Sequence, residues 1–176
     1  ATPLRPRFWE LPLDALGSEE WEALCDGCGK CCLHKAEDEE TGRVYFSNIR
    51  CKLLDGDCGR CTDYTNRRAH VPDCVTLTPQ TVGSLVWLPR TCAYRLRHEG
   101  RPLPDWHYLR SGDHEAVHRA GESVRGWTVA EAEEQDIEDH LVTREIEEGA
   151  APSLSIAGRV LPIIVRRNAQ ARGYRL

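Results

Sequence analysis

The chain has 176 residues, a formal charge of -5, nine cysteines and no methionine. That length suits one domain with an appendage, and no apolar stretch approaches the roughly 20 residues a membrane span needs. The first ten residues carry Pro, Arg and Trp but no apolar segment of an export signal, which predicts a reducing cytoplasm where structural disulfides are rare. Nine cysteines in that setting predict metal or iron–sulfur ligation.

Charge is unevenly spread. Residues 131–148 hold nine carboxylates against one arginine, Arg144, whereas residues 151–176 hold five arginines and no acid. Removing that +5 from the total leaves residues 1–150 at -10. An acidic body lacks the basic side chains that neutralise phosphates, so nucleic acid is not an expected partner. Another protein or a small-molecule substrate is expected instead, with no membrane contact. Residues 1–148 are expected to form the cysteine domain, and 149–176 a linker and basic tail left from a fused domain.

In chain order, Ser18 is expected to cap a short helix, with Glu19, Glu20 and Glu22 near its positive end. Val44-Tyr45-Phe46 after Thr41-Gly42 reads as half of a hairpin. Thr78-Pro79 opens a short helix to Val86, and Pro89 another to Gly100 with Cys92 on its apolar side. A further helix is expected over Gly112 to Ala120, a strand over Ser123 to Val129 and an acidic helix over Ala130 to Leu141. Gly149 to Ser153 reads as a linker, and Ser155 to Val165 as the start of a hairpin. The expected fold is α+β: a small, irregular, metal-stapled domain in which short helices and one or two β-hairpins surround a cysteine-bound centre.

The chemistry is densest at Cys25-Asp26-Gly27-Cys28-Gly29-Lys30-Cys31-Cys32. Thiolates three residues apart can curl around one centre, because the intervening glycines tolerate positive φ and leave amide N–H groups free to point at sulfur. Cys51, Cys58, Cys61, Cys74 and Cys92 extend the set of candidate metal ligands. C-x2-C-x2-C spacing suits an iron–sulfur cluster, most simply [4Fe-4S] with a distal fourth thiolate. Pairing it with the Cys58-x2-Cys61 knuckle suits a tetrahedral Zn2+ site. Both readings stand, iron–sulfur first. Asp26, Lys30 and His34 are placed to tune the thiolates, although Lys30 also reads as an ordinary solvated lysine. His34 and His70 are further ligand candidates, and His114 and His118 would share a helix face. Trp21, Trp87, Trp106 and Tyr94 read as core. Phosphate loops, nucleophile elbows and dinucleotide fingerprints do not occur.

Cys25-x2-Cys28-x2-Cys31-Cys32, Pro72-Asp73-Cys74 and Trp87-Leu88-Pro89-x-Thr91-Cys92-Ala93-Tyr94-Arg95 resemble the bacterial CxxCxxCC family, described as zinc- or iron-chelating. The similarity is strongest to its YcgN-like branch, with further matches at Tyr45-Phe46, Trp106-His107 and Ser123-Val124-Arg125. The resemblance implies a cytoplasmic metal-chelating domain and no particular reaction, although the distantly similar flagellin lysine methylase keeps an enzymatic role open. Cys58-Gly59-Arg60-Cys61 departs from the C-x-C of that branch, which makes Cys61 the safer ligand of the two. Arg166 to Arg172 faintly resembles the opening strands of YgjP-like zinc metallopeptidases, without their H-E-x-x-H. Three roles follow: a redox or modifying iron–sulfur protein, a structural zinc module that binds another protein, or a metal carrier or sensor.

Overall fold

Helix α1 spans Ser18–Ala23. Its cap is Gly17 rather than the expected Ser18, because the Glu20 carboxylate turns back to accept the Gly17 N–H at 3.0 Å. The same carboxylate receives the Arg5 side chain at 2.5 and 2.8 Å, which ties the N-terminal segment onto the helix. In this computed structural model the described residues are 3–38, 44–72, 74–133 and 136–142, together with the backbone of 163–167. They pack as two units, one drawn from residues 1–28 and 76–123, the other from 29–75 and 124 onward.

The first unit is helical. Beyond α1 it contains α3 (Ala93–His98), α4 (Tyr108–Ser111) and α5 (Ala116–Arg119); α2 (Arg67–His70) belongs to the second unit. Phe8, Leu24, Trp87, Leu88, Leu96, Leu103 and Val117 are buried within it. The helices are shorter than expected. Between Thr78 and Val86 there is only a 3-10 turn, Val82–Ser84. The helix expected from Pro89 starts at Ala93 because Cys92 is extended and serves as its cap. The span from Gly112 to Ala120 is helical only over α5, since Gly112 at φ +75° ends α4. His114 therefore lies outside the helix that carries His118. It stacks on Tyr108 with ring centroids 4.1 Å apart, while His118 bonds Ser123 at 2.7 Å.

The second unit is built on a small mixed sheet, ordered β3-β2-β1-β4. The strands are β1 (Leu33–Asp38), β2 (Val44–Arg50), β3 (Val129–Ala130) and β4 (Ile163–Arg167). β1 pairs antiparallel with β2 across an irregularity between Leu33 and Lys35, and β4 pairs antiparallel with β1. β3 runs parallel to β2, with Ile49 opposite Val129. Leu33, Phe46, Leu54, Val71 and Val124 form one apolar cluster, and Ala36, Ile49 and Ile137 another, with Leu141 against it. The architecture is α+β, as expected.

Two expectations fail in this unit. The strand of 123–129 shrinks to Val129–Ala130. The acidic helix of 130–141 is replaced by that strand and a 3-10 turn, Ile137–His140. Tertiary packing overrides the local pattern there: Ile137 is drawn onto Ala36 and Ile49, and Asp136 caps the turn by accepting the Glu138 N–H at 3.0 Å. Ile163–Arg167 pairs with β1; residues 155–162 of the expected hairpin and the linker at 149–153 lie outside the described residues. Among the described residues, no helix is long and apolar enough to cross a membrane.

Candidate metal centre

In the first unit, three side chains deliver the chain to Cys25. The last carbonyls of a helix have no partner within it. Here Tyr94 donates its hydroxyl to the Trp21 carbonyl at 2.7 Å, Tyr108 donates to the Ala23 carbonyl, and His107 bonds the Leu24 carbonyl at 3.0 Å. His107 is fully buried, and its Nδ1 accepts the Leu109 N–H at 3.1 Å, so Nε2 carries the proton that goes to Leu24. Burial holds the His107 imidazole below its ordinary pKa; nearby Asp26 and the Leu24 carbonyl act in the opposite direction, and His114 again lowers it. A neutral ring with a fixed tautomer results.

The turn that follows is wound by Asp26 and Gly27. Asp26 Oδ1 accepts the Cys28 N–H at 2.9 Å, and Gly27 sits at φ +77°. Cys28 is buried and Cys25 half-buried. Asp26 Oδ2 is buried and has no hydrogen-bond partner among the described residues. Cys92, expected on the apolar side of a helix, instead precedes α3 and is half-buried.

In the second unit, Lys30–Cys32 forms a 3-10 turn that leads into β1. The Cys31 and Cys32 sulfurs lie 3.9 Å apart. Cys51 donates its N–H to the Cys32 carbonyl at 2.9 Å, and Cys32, Cys51 and Cys74 all pack on the Phe46 cluster. Cys61 bridges Leu54 at the base of a loop whose tip holds exposed Cys58. Asp55 folds that tip by accepting the Asp57 and Cys58 N–H groups at 2.8 and 2.9 Å. The Cys58 amide, then the Asp57 amide and the Cys58 thiol, hold the Asp55 carboxyl below its ordinary value. This loop touches the Lys30–Cys32 turn through glycine: a Cβ on Gly29 would stand 3.1 Å from the Gly59 carbonyl oxygen and 3.0 Å from Val124.

Two lysines are buried here. Lys30 is 1% exposed, which removes the solvated alternative, and Lys35 is 0% exposed. The Lys35 ammonium donates to the Cys31 and Leu33 carbonyls at 2.8 and 2.7 Å and lies 4.8 Å from the Phe46 ring centre. The chain holds only these two lysines and the exposed Lys52. His34 pairs with Glu131 at 2.7 Å and His70 with Asp63 at 3.1 Å, so both histidines have carboxylate partners.

Among the described residues, no three His, Cys, Asp or Glu side chains already converge as a group that would hold a metal ion. The donor chemistry nonetheless fits zinc or iron. Thiolates are the ligands both metals favour, and the orphaned Asp26 oxygen in the Cys25–Cys28 turn is the kind of buried acceptor that a cation or its bound water satisfies. Two thiolates on one tetrahedral zinc ion, each about 2.3 Å from it, stand ~3.8 Å apart. The Cys31–Cys32 separation matches that spacing. Inspection of the sequence misses His107, Lys35, Tyr94 and Tyr108 as supports of the cysteine run; for His107 the available signal was its place in the Trp106-His107 match.

Residues 24–93 match the family model CxxCxxCC, described as a "putative zinc- or iron-chelating domain". The chain is 61% identical over 140 residues to a UPF0260 protein of Rhizorhabdus wittichii, covering 79% of this chain and 96% of the relative. It is 60% identical over 142 residues to a UPF0260 protein of Rhodobacter capsulatus, covering 79% and 95%. A UPF0260 protein of Gluconobacter oxydans is 50% identical over 141 residues, covering 80% and 86%. No solved structure matches the chain.

Proposed function

This chain belongs to the UPF0260 family of CxxCxxCC-domain proteins, and from that premise we propose that it is a cytoplasmic protein whose cysteine thiolates hold an iron–sulfur cluster. Cys25, Cys28, Cys31 and Cys32 are its principal ligands. Cys61 and Cys74 come next, with Cys51, Cys58 and Cys92 in reserve. Such a centre supplies one-electron chemistry, which suits a redox role or the modification of a protein or small-molecule substrate. The protein's own part is to fix the ligands and to set the charge around them.

The observation that carries this reading is the burial of Lys30 and Lys35 beside the cysteine run. A buried ammonium is unfavourable in an apolar setting, and cations beside cysteines favour the thiolate, the form that binds metal. A reducing compartment keeps the same thiols available for metal.

The 3.9 Å between the Cys31 and Cys32 sulfurs favours a second reading, a closed structural zinc site on a protein-binding module. Anaerobic purification followed by elemental analysis and absorption spectroscopy separates the two. Iron and sulfide in equal amounts, with visible absorption that dithionite bleaches, support the cluster. A colourless protein with stoichiometric zinc replaces it with the second reading, and a protein carrying neither metal overturns both.

A further inference from the structure

A cavity of about 710 Å³ opens in the first unit between the N-terminal segment, α3 and the loop leading to α4. Its volume lies within the roughly 300–1,000 Å³ of small-molecule sites. Arg7, Arg97 and Arg110 line it together with Glu10, Trp9 and Leu103. Three guanidinium charges against one carboxylate leave a net charge of +2, inside a body that is otherwise acidic.

How these charges are held matters more than their number. Arg7 grips the Glu10 carboxylate with two nitrogens and so consumes its charge. Arg7 is the one non-glycine residue among those described with positive φ, at 53°, a conformation that turns the chain at the edge of the cavity. Arg97 donates instead to carbonyl oxygens, that of Arg101 at 2.8 Å and that of Glu10 at 3.3 Å, and its Nε is buried without a partner. Arg110 donates to the Leu103 carbonyl at 2.6 Å and forms an ion pair with Asp105 at 2.7 Å, whose carboxylate is 91% exposed, so that the pair is worth little against a competing anion. Carbonyl partners fix a guanidinium in place but bring no formal charge. Arg97 is therefore a preorganised cation held by carbonyls alone, Arg110 is a second whose exposed Asp105 partner a phosphate can displace, and all three arginines, Arg7 first, act on Glu10 to hold its carboxyl below its ordinary pKa. Trp9 and the buried Leu103 supply flat and apolar wall beside them.

We propose that this cavity binds a phosphate monoester carrying a planar ring, of the nucleoside monophosphate class, with the phosphate at Arg97 and Arg110 and the ring against Trp9. A phosphate monoester carries about -1.5 to -2 near neutral pH, which matches the +2 of the lining, and guanidinium forks suit its oxygens. The site is separate from the cysteine run and does not depend on which metal that run holds.

The test is calorimetric titration of the full chain with adenosine monophosphate at low ionic strength, using adenosine and ribose 5-phosphate as partial probes. Adenosine monophosphate should bind at least tenfold more tightly than either. Arg97→Gln and Arg110→Gln should each weaken it tenfold or more. Trp9→Ala should weaken adenosine monophosphate and leave ribose 5-phosphate unchanged. Thermal unfolding of each variant shows that it is folded, and Arg110→Gln serves if Arg97→Gln is not. Absence of binding at millimolar concentration, equal affinity in a folded arginine variant, or inorganic phosphate binding as tightly as the nucleotide would overturn the proposal.

Discussion

His107 and Leu24, 83 positions apart in the chain, are joined by a 3.0 Å hydrogen bond from the imidazole to the carbonyl immediately before Cys25. A buried neutral histidine is thus used as a helix terminator, and the first thiol of the cysteine run inherits its position. Replacement by alanine removes the donor and empties a buried volume. His107→Ala should lower stability by about 2–4 kcal/mol, read as a lower midpoint in urea at neutral pH. His107→Gln, which can still donate to Leu24, should recover part of that loss. Equal midpoints for the two variants would show that the hydrogen bond contributes little.

Lys35 does for the second half of the run what His107 does for the first, by holding the Cys31 and Leu33 carbonyls. Lys35→Met keeps the length and apolar stem of the side chain but leaves both carbonyls without the ammonium. A loss of about 1–3 kcal/mol is expected, together with a lower metal content in the purified protein. Unchanged metal content alongside reduced stability would assign Lys35 to folding alone.

Glu20 gives an acid limb. The Arg5 guanidinium, and after it the Gly17 N–H, hold its carboxyl at about 2 in the folded chain, against an ordinary value of 4.5. A depressed folded pKa means that the unfolded chain binds the proton more readily. The stabilisation is therefore complete above pH 4.5 and disappears as pH falls through about 2. Glu20→Gln should unfold more easily than the parent at neutral pH. The gap between them should close over that acid range, as followed by far-ultraviolet circular dichroism. A gap that stays constant with pH would rule out the carboxylate as its cause.

Gly29 and Gly112 separate backbone strain from close approach. Both adopt positive φ, +77° and +75°, but a Cβ at Gly112 meets open space whereas one at Gly29 runs into Gly59 and Val124. Gly112→Ala should cost about 1–2 kcal/mol, the left-handed penalty alone. Gly29→Ala should cost about 1–3 kcal/mol more, from overpacking against the Cys58–Cys61 loop. Equal costs in denaturant titrations would mean that the two cysteine loops do not touch.

Local chemistry is what the linear chain makes legible. The run from Cys25 to Cys32, helix α1 with its clustered acids, and strand β2 are readable because short spacing and alternation decide them. The acidic segment after Ala130 misleads because Ile137 exchanges helical periodicity for a place on Ala36 and Ile49, which no local pattern announces. The helix expected from Pro89 is cut short by an extended Cys92. At the candidate site, thiol spacing marks the ligand donors, while the groups that hold them reach across the fold. Tyr94 and His107 act on carbonyls 73 and 83 positions away. Lys35 is close in sequence but looks like a surface lysine on a polar strand until its burial is seen.

The burial of Lys30 and Lys35 also decides which amines a reagent in solution can find. With Lys52 as the exposed member of the three lysines, an acylating probe reaches that amine on the native fold. Lys30 and Lys35 become reactive only when the backbone around the thiols opens. Site-resolved acylation against time is therefore a direct clock for opening of the cysteine run, with Lys52 as its internal standard.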